Sequence, residues 1–295
     1  MAFLWFFKAA VNDNNAYDTS LIYSGDKTTA MTLIGVIILY LLLGALAGTM
    51  AGLFGIGGGL VIVPVLIFTF SFQGFSPEIT AHLAIGTSLA TIVFTSISSI
   101  RTHHVHGAVR WALVRPMTIG IVLGAVVGAW TAALLSGPML QTIIGVFAIL
   151  VAVKMLLEVN PKPGRDVPGV AGLGVSGGVI GWISAIFGIG GGTVSVPYLT
   201  WCNVRMQQAV GTSAALGLPI ALAGAAANIW TGWQHPELPD LSVGFIYLPA
   251  LVGVVATSVF FARIGAKLAH RLDGRLLKRI FSVVLIIVGL RFLLS

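Results

Sequence analysis

The sequence predicts an all-α protein that is dissolved in a lipid bilayer and built from two related halves. Of its 295 residues, 57% are hydrophobic and only 8% are charged, and the mean hydropathy is +1.00. A soluble domain has roughly 25% charged residues, so most of this chain is expected to contact lipid. The two halves are indicated by a glycine-rich segment that occurs twice.

Long stretches without Asp, Glu, Lys or Arg identify the membrane segments. Residues 31–72, 116–153 and 206–234 contain none of these residues, whereas about 20 apolar residues are enough for one helix to cross a bilayer. A transmembrane β-barrel is excluded because its strands alternate apolar and polar residues. We predict a polytopic protein with about 8 to 10 membrane segments. In chain order the predicted helices are 31–54, 60–72, 83–100, 112–135 and 139–157, and then 168–187, 193–203, 208–230, 242–262 and 276–294.

The glycine-rich segment divides the chain into two repeats. Phe-Gly-Ile-Gly-Gly-Gly-Leu-Val-Ile-Val-Pro begins at Phe54, and Phe-Gly-Ile-Gly-Gly-Gly-Thr-Val-Ser-Val-Pro begins 133 positions later at Phe187. Ala-Ile-Gly-Thr-Ser at 84–88 returns in the same way as Ala-Val-Gly-Thr-Ser at 209–213. Such internal repeats are typical of transporters. The predicted organisation is an interfacial or extracytoplasmic segment at 1–30, a first transmembrane repeat at 31–157, a Pro-rich linker at 158–167 and a second transmembrane repeat at 168–294.

The distribution of charge predicts that the two repeats are inverted in the membrane. Loop 101–115 carries three arginines and is expected in the cytoplasm, whereas its repeat equivalent, 231–241, has no Lys or Arg and is expected outside. The basic loop 263–279 is expected inside, opposite its neutral equivalent 136–138. Equivalent loops therefore lie on opposite sides, which also places the linker in the cytoplasm and both chain termini outside.

The two glycine runs predict breaks in membrane helices. Gly44, Gly48 and Gly52, at four-residue spacing, are best explained as a packing surface, since small residues let helices approach closely in lipid. Three consecutive glycines followed by a proline are instead poor helix formers and free backbone N–H and C=O groups. In hydrocarbon such groups are tolerated only when they are buried in protein or line a water-filled cavity. We therefore favour a substrate site over simple packing at the two runs.

Hydroxyl and amide side chains follow the runs in sequence. Thr87 and Ser88, like Thr212 and Ser213, either bond to their own helix backbone or join helix N-terminal amides in coordinating an oxyanion. Their duplication favours the second interpretation. Asn228 lies deep in its helix, where a helix–helix hydrogen bond, a gating role and a substrate contact are all left open.

Several function classes find no support in the sequence. His103, His104 and His106 lie in a basic loop without a nearby Cys or carboxylate, so we expect added positive charge there and no metal site. Cys202 is the single cysteine, which excludes an intrachain disulfide. The net charge of +7 comes from short loops beside apolar segments and does not favour nucleic-acid binding. We expect no cofactor, and an integral membrane enzyme is disfavoured because no catalytic constellation is visible.

The doubled motif resembles one known family. Gly-x-Gly-Gly-Gly followed by Pro in both halves, each with a downstream Gly-Thr-Ser, is similar to the TauE/SafE family of sulfite exporters, also called the sulfonate uptake permease family. The resemblance implies an inner-membrane carrier for small sulfur-containing anions such as sulfite, sulfonates, sulfoacetate or thiosulfate. By position it implies a substrate site built from Gly57, Gly58, Gly59, Pro64, Thr87 and Ser88 of the first half and Gly190, Gly191, Gly192, Pro197, Thr212 and Ser213 of the second.

The resemblance leaves the substrate, the direction and the coupling ion open. Alternating access between two inverted repeats is the first expectation, and an importer or channel for carboxylates or other anions is the alternative. No charged residue falls near the middle of a predicted segment, so neutral dipoles must hold the anion. An inside-negative potential drives a monoanion outward by about 2.3 kcal/mol per 100 mV, which favours export. The expected partners are the anion and the lipid bilayer, with a homo-oligomer left open.

Cysteine labelling tests the predicted topology. After Cys202→Ala, single cysteines can be introduced as His106→Cys, Glu237→Cys and Arg271→Cys. An impermeant thiol reagent added to intact cells should label position 237 and should reach positions 106 and 271 only after the cells are opened. Labelling at 106 with protection at 237 would contradict the inverted arrangement.

Overall fold

Ten α-helices make up most of the described part of the computed structural model, which covers residues 27–54, 58–157, 164–268 and 274–294. The helices are α1 (Lys27–Phe54), α2 (Gly59–Phe72), α3 (Pro77–Val105), α4 (Trp111–Ala133), α5 (Gly137–Leu156), α6 (Val170–Ile186), α7 (Gly192–Trp201), α8 (Met206–Thr231), α9 (Leu248–Leu268) and α10 (Gly274–Leu294). An antiparallel hairpin of β1 (Ser242–Val243) and β2 (Ile246–Tyr247) precedes α9. Residues 1–26 of the predicted N-terminal segment, most of the predicted linker and Arg271 lie outside the described residues.

Five of the described helices are long and apolar enough to cross a bilayer. They are α3, α4, α5, α8 and the Leu248–Gly265 part of α9. Shorter apolar stretches lie in α1, α2, α6 and α10. The helical content and these candidate spans agree with the predicted all-α, polytopic membrane protein.

Each glycine run separates a long helix from a short one. At the end of α6, the N–H of Ile189 donates to the Ser184 carbonyl at 2.9 Å and Gly188 has a φ of +62°, which is a Schellman motif. Gly191 then takes a φ of +78° as the N-cap of α7, and Gly58 takes a φ of +73° as the N-cap of α2. Glycine adopts this left-handed conformation without strain, so the run encodes a helix stop followed by a helix start.

The short helices after the breaks cannot span a bilayer alone. α2 has 14 residues and α7 has 10, which corresponds to about 21 Å and about 15 Å against a hydrocarbon core of about 30 Å. Both begin at buried glycines, Gly59 and Gly192, and both end at exposed aromatic residues, Phe72 and Trp201. Each short helix therefore starts inside the protein and ends at its surface.

Helices of one repeat pack closely against helices of the other. α1 packs along α9, and α6 packs along α4. The close approaches are Gly44 to Val254, Gly48 to Ser258, Gly177 to Met117 and Gly181 to Ile121. Sequence numbers rise together along both seams, so both pairs are parallel. Gly44 and Gly48 thus have the packing role predicted for them, while the surroundings of Gly52 lie outside the described part.

Two further helix pairs join the repeats in the opposite sense. Along α3 and α8, Gly86 lies near Asn228, Leu89 near Gly224 and Ser96 near Gly217. Along α5 and α10, Gly145 lies near Phe292 and Ile149 near Gly289. In both pairs the sequence numbers rise along one helix as they fall along the other. The third helices of the two repeats are therefore antiparallel to each other, and so are the fifth.

The structure corrects the predicted boundaries of two helices, α3 and α9. Residues 242–247, predicted as the start of a helix, form the β-hairpin, whose turn is made possible by the φ of +54° at Gly244. α3 was expected from residue 83 but begins at Pro77, because the Ser76 hydroxyl caps it by accepting the Glu78 N–H at 3.3 Å. It continues to Val105, so the first five residues of the predicted loop 101–115 are helical.

Gly44→Ala should destabilise the protein, because the new methyl group would collide with the Val254 carbonyl and the Thr257 hydroxyl of α9. Overpacking of this kind costs about 1–3 kcal/mol. Gly35→Ala in the same helix is the control, because Gly35 faces open space and alanine is the better helix former by about 0.5–1 kcal/mol. The thermal midpoints of the two purified variants should move in opposite directions. Equal midpoints would show that α1 and α9 are not tightly packed.

Candidate functional site

The two glycine runs meet in the interior of the protein. Gly59 lies so close to the Gly188 carbonyl and to Ile189 that a side chain at position 59 would collide with both. The Ser88 hydroxyl of α3 donates to the same Gly188 carbonyl at 2.8 Å, and the Ile92 side chain touches Gly59. Ile92 lies halfway along α3, a candidate span, so the contact is near the middle of that span. We call residues 58–59 and 188–192 the junction.

Two helix N-termini lie at the junction. α2 begins at Gly59 and α7 at Gly192, and neither helix has a side-chain cap. The N–H groups of Val61 and Val194 each donate to the carbonyl of their N-cap glycine at 3.0 Å, but the amides before them have no intrahelical acceptor. Because a helix N-terminus also carries roughly half a positive charge, these amides can hold an anion.

Two serine hydroxyls lie beside Gly191 in the second glycine run. A β-carbon built at Gly191 would lie 3.2 Å from Ser195 Oγ and 3.8 Å from Ser184 Oγ. Both serines are fully buried, and neither hydroxyl has a hydrogen-bond partner among the described residues. The Gly190 carbonyl lies against Gly217 of α8, which closes this side of the junction. Hydrogen-bond donors are therefore available around the start of α7.

Thr87 and Thr212 each bind the opposite repeat. The Thr87 hydroxyl of α3 accepts the backbone N–H of Tyr247, just before α9, at 3.0 Å. The Thr212 hydroxyl of α8 accepts the N–H of Arg110, just before α4, also at 3.0 Å. Both threonines are fully buried. Each of the two equivalent threonines thus accepts a hydrogen bond from a backbone amide at the start of a helix in the other repeat. We call these two hydrogen bonds the exchanged bonds.

The other predicted site residues are spread more widely. Gly57 lies outside the described residues, while Ser213 is buried without a partner in the described part. Asn228 Nδ2 donates to a carbonyl of its own helix at 2.8 Å, so this bond is not between helices. Pro64 and Pro197 are the sixth residues of α2 and α7, beyond the first helical turn. Among the predicted residues, the structure therefore brings Gly59 and Ser88 together at the Gly188 carbonyl, and Gly190, Gly191 and Gly192 follow within four residues of that carbonyl.

Ser184 and Ser195 are not part of the predicted site, although a difference between the two repeats could have indicated them. Their equivalents in the first repeat are Ala51 and Ile62, which are both apolar. A motif shared by two repeats cannot reveal residues that only one repeat has. A position-by-position comparison of the two glycine-rich segments would have shown these hydroxyls.

His82 is another buried polar residue that the motifs do not include. Its ring nitrogens lie 3.1 Å from the Glu78 carbonyl of its own helix and 3.1 Å from the Ala132 carbonyl at the end of α4. Its ring packs on that of Phe245, with the ring centroids 5.0 Å apart. His82 therefore joins α3, α4 and the β-hairpin near the start of α3.

The chemistry available at the junction is uncharged. No Asp, Glu, Lys or Arg is buried among the described residues, and no group of three His, Cys, Asp or Glu in that part could hold a metal ion. In the predicted basic loop, His104 Nδ1 accepts the Trp111 indole N–H at 3.2 Å, and His106 Nδ1 lies 2.7 Å from the Thr102 carbonyl. A ligand at the junction would meet only backbone groups and neutral side chains.

Comparison with known proteins identifies the family. The family model for the sulfite exporter TauE/SafE matches residues 40–292, a range that contains both glycine runs. The chain belongs to the TauE/SafE family. It is a multi-pass membrane transporter, and the resemblance predicted from the doubled motif is confirmed.

The similarity to proteins from distant organisms covers nearly the whole length of those proteins. A probable membrane transporter protein of Haemophilus influenzae is 38% identical over 260 residues, which are 88% of this chain and 98% of the relative. The probable membrane transporter protein YunE of Bacillus subtilis is 27% identical over 272 residues, 85% of this chain and 95% of YunE. One from Methanocaldococcus jannaschii is 26% identical over 264 residues, 87% of this chain and 95% of the relative. No solved structure matches the chain.

Thr87→Val should destabilise this TauE/SafE transporter, because the buried N–H of Tyr247 then loses its acceptor. A buried unsatisfied donor costs about 1–3 kcal/mol. Thr87→Ser keeps the acceptor oxygen and is the matched control, which should unfold closer to wild type. Thr212→Val should act in the same way through the N–H of Arg110. Thermal unfolding of the purified proteins measures both effects, and equal stabilities of the Thr87→Val and Thr87→Ser proteins would argue against the exchanged bonds.

Proposed function

We propose that this TauE/SafE transporter carries small sulfur-containing oxyanions of the sulfite, sulfonate, sulfoacetate or thiosulfate type and binds them at the junction. The observation on which the proposal rests is the buried contact between the uncapped start of α2 and the glycine run that leads into the uncapped start of α7. Unpaired amides and aligned dipoles at such ends attract anions. The family's description as a sulfite exporter supports the substrate class.

Two inverted repeats, at 31–157 and 168–294, are supported by the directions of equivalent helices. Because α3 and α8 are antiparallel, as are α5 and α10, equivalent helices point in opposite directions. Inverted repeats, related by an axis in the membrane plane, require this, whereas parallel repeats would not give it. Such repeats commonly rock around a fixed central site, so alternating access at the junction is the proposed mechanism. An open anion channel is the rival.

The proposed direction is export across the inner membrane. The proposed topology has both chain termini outside and the linker inside. The inside of the cell is electrically negative, so an anion would leave the cytoplasm down the electrical potential. This potential contributes about 2.3 kcal/mol per elementary charge per 100 mV, so export of a monoanion needs no coupled ion, whereas import does. The lack of buried charged side chains in the described residues agrees with a carrier that has no ion-coupling site.

Ligand-dependent stability tests the substrate class. A ligand that binds only the folded protein raises the free energy of unfolding by about 2.7 kcal/mol at a concentration of 100 times its Kd. Sulfite, methanesulfonate, sulfoacetate and thiosulfate should be compared with acetate on the purified protein, and we expect the largest shifts in thermal midpoint among the sulfur anions. A shift with acetate alone would indicate a carboxylate transporter instead.

Counterflow in proteoliposomes tests the carrier mechanism. Uptake of labelled sulfite should increase when unlabelled sulfite is trapped inside the vesicles, because a carrier returns loaded from the other side. Vesicles that contain a Gly58→Val or a Gly191→Val protein should lose this uptake, since a β-branched side chain disfavours the left-handed backbone at the junction. Uptake by the wild type that trapped sulfite does not stimulate would favour a channel.

A further inference from the structure

The two helix starts at the junction differ in chemistry. Ser184 and Ser195 lie beside the N-cap of α7, whereas the equivalent positions near α2 are occupied by Ala51 and Ile62. Ile62 is fully buried in the hydrophobic core. The start of α7 therefore offers side-chain hydrogen-bond donors, and α2 has apolar residues at the same two positions.

The two N-cap glycines also face different surroundings. A β-carbon at Gly58 would meet the Ala47 carbonyl at 2.8 Å, so this glycine lies against α1. A β-carbon at Gly191 would meet the two serine hydroxyls and the end of the Ile220 side chain. Gly59, at the start of α2, is itself pressed against Gly188 and Ile189. The first run thus supports the second run, whose N-cap faces the hydroxyls.

Buried hydroxyls without partners are unfavourable, since folding removes their hydrogen bonds to water and no hydrogen bond within the protein replaces them. Ser184 and Ser195 come from different helices, α6 and α7, and both are at 0% exposure without a partner in the described residues. Two such groups beside one uncapped helix N-terminus indicate a place that a ligand completes.

We propose that the second repeat binds the anion, at the N-terminus of α7, and that the Ser184 and Ser195 hydroxyls donate hydrogen bonds to its oxygens. This inference rests on the proposed function and assigns the binding residues within it. α7 has ten residues, so its start carries the partial positive charge of a helix dipole. Its first amides, at Gly192 and Thr193, supply further donors. A sulfonate or hydrogen sulfite has three oxygens on one sulfur, which matches donors that converge from a side-chain pair and a helix end.

Within the proposed substrate class, the same arrangement favours the singly charged anions, hydrogen sulfite and simple sulfonates, over sulfoacetate and thiosulfate, which carry two negative charges at neutral pH. Helix dipoles offset roughly half an elementary charge, and no Lys or Arg is buried in the described part of the chain to offset a second one. Bringing a divalent anion into this site would leave most of its charge uncompensated in a medium of low dielectric constant. Methanesulfonate should therefore bind more tightly than sulfate.

The test is titration calorimetry of the purified full-length protein with methanesulfonate and with sulfate. Sulfite replaces methanesulfonate as the probe if the wild type binds it more tightly. Ser184→Ala and Ser195→Ala should each weaken binding about tenfold, because each removes one donor to a charged ligand. Without ligand, both variants should be at least as stable as wild type, since neither hydroxyl loses a protein partner.

Ser258→Ala is the matched control for the serine variants. Ser258 is also fully buried without a partner among the described residues, but it lies in α9 against Gly48. Its replacement should leave the affinity at the wild-type value. A purely structural effect of removing a buried hydroxyl would instead appear in all three variants.

A glycine pair provides a second measurement. Gly191→Ala places a methyl group between the two hydroxyls, and we expect binding to fall below detection. Gly74→Ala has the same backbone strain, with a φ of +77° against +78°, but its methyl group enters open space. Its affinity should remain that of the wild type.

The possible failures are distinguishable. Wild-type affinity in a Ser184→Ala/Ser195→Ala double variant would overturn the assignment to the second repeat. If the double variant does not fold, equal affinities of the Gly191→Ala and Gly74→Ala proteins would overturn it instead. Tighter binding of sulfate than of methanesulfonate would overturn the preference for a single charge. A folded wild-type protein that binds neither these anions nor sulfite would overturn the proposed function itself.

Discussion

Every N–H and C=O group that a broken helix releases inside a bilayer needs a partner within the protein, because lipid offers none. The break after α6 meets this need partly by itself, through the bond from the Ile189 N–H to the Ser184 carbonyl. The Gly188 carbonyl is satisfied from the other repeat, by Ser88 of α3. The break in the second repeat is thus completed by the first, which makes the local break depend on the assembly of the two halves.

The same dependence runs through the helix packing. In lipid no hydrophobic force draws one apolar helix to another, so association relies on close packing and on interhelical hydrogen bonds. The glycine seams of α1 with α9 and of α4 with α6 supply the first, and the exchanged bonds of Thr87 and Thr212 supply the second. Each repeat contributes one helix to each seam: α1 and α4 come from the first repeat, and α9 and α6 come from the second. Neither repeat can therefore bury its backbone contacts alone.

The lack of buried charges among the described residues has a consequence for transport. A buried Lys or Arg would hold an anion strongly, but its own removal from water is expensive when the anion has left. Backbone amides and hydroxyls stay neutral whether the site is filled or empty, so the cost of the empty state is smaller. Neutral donors thus suit a carrier that must release its substrate in every cycle, as in the mechanism proposed for this TauE/SafE transporter.

The sequence by itself determined the membrane class, the family, and the helices with their breaks. These properties are local: uncharged runs give the spans, and consecutive glycines permit the left-handed residues that end α6 and begin α2 and α7. The predicted segments 60–72 and 193–203 accordingly begin within one residue of α2 and α7. Only the tertiary structure decided which polar groups meet. Ser88 reaches a carbonyl 100 positions away, and Thr87 an amide 160 positions away. Ser184 and Ser195 come together only because the Schellman turn folds α7 back beside the end of α6. Such contacts depend on the packing of distant segments, which neither composition nor a repeated motif contains.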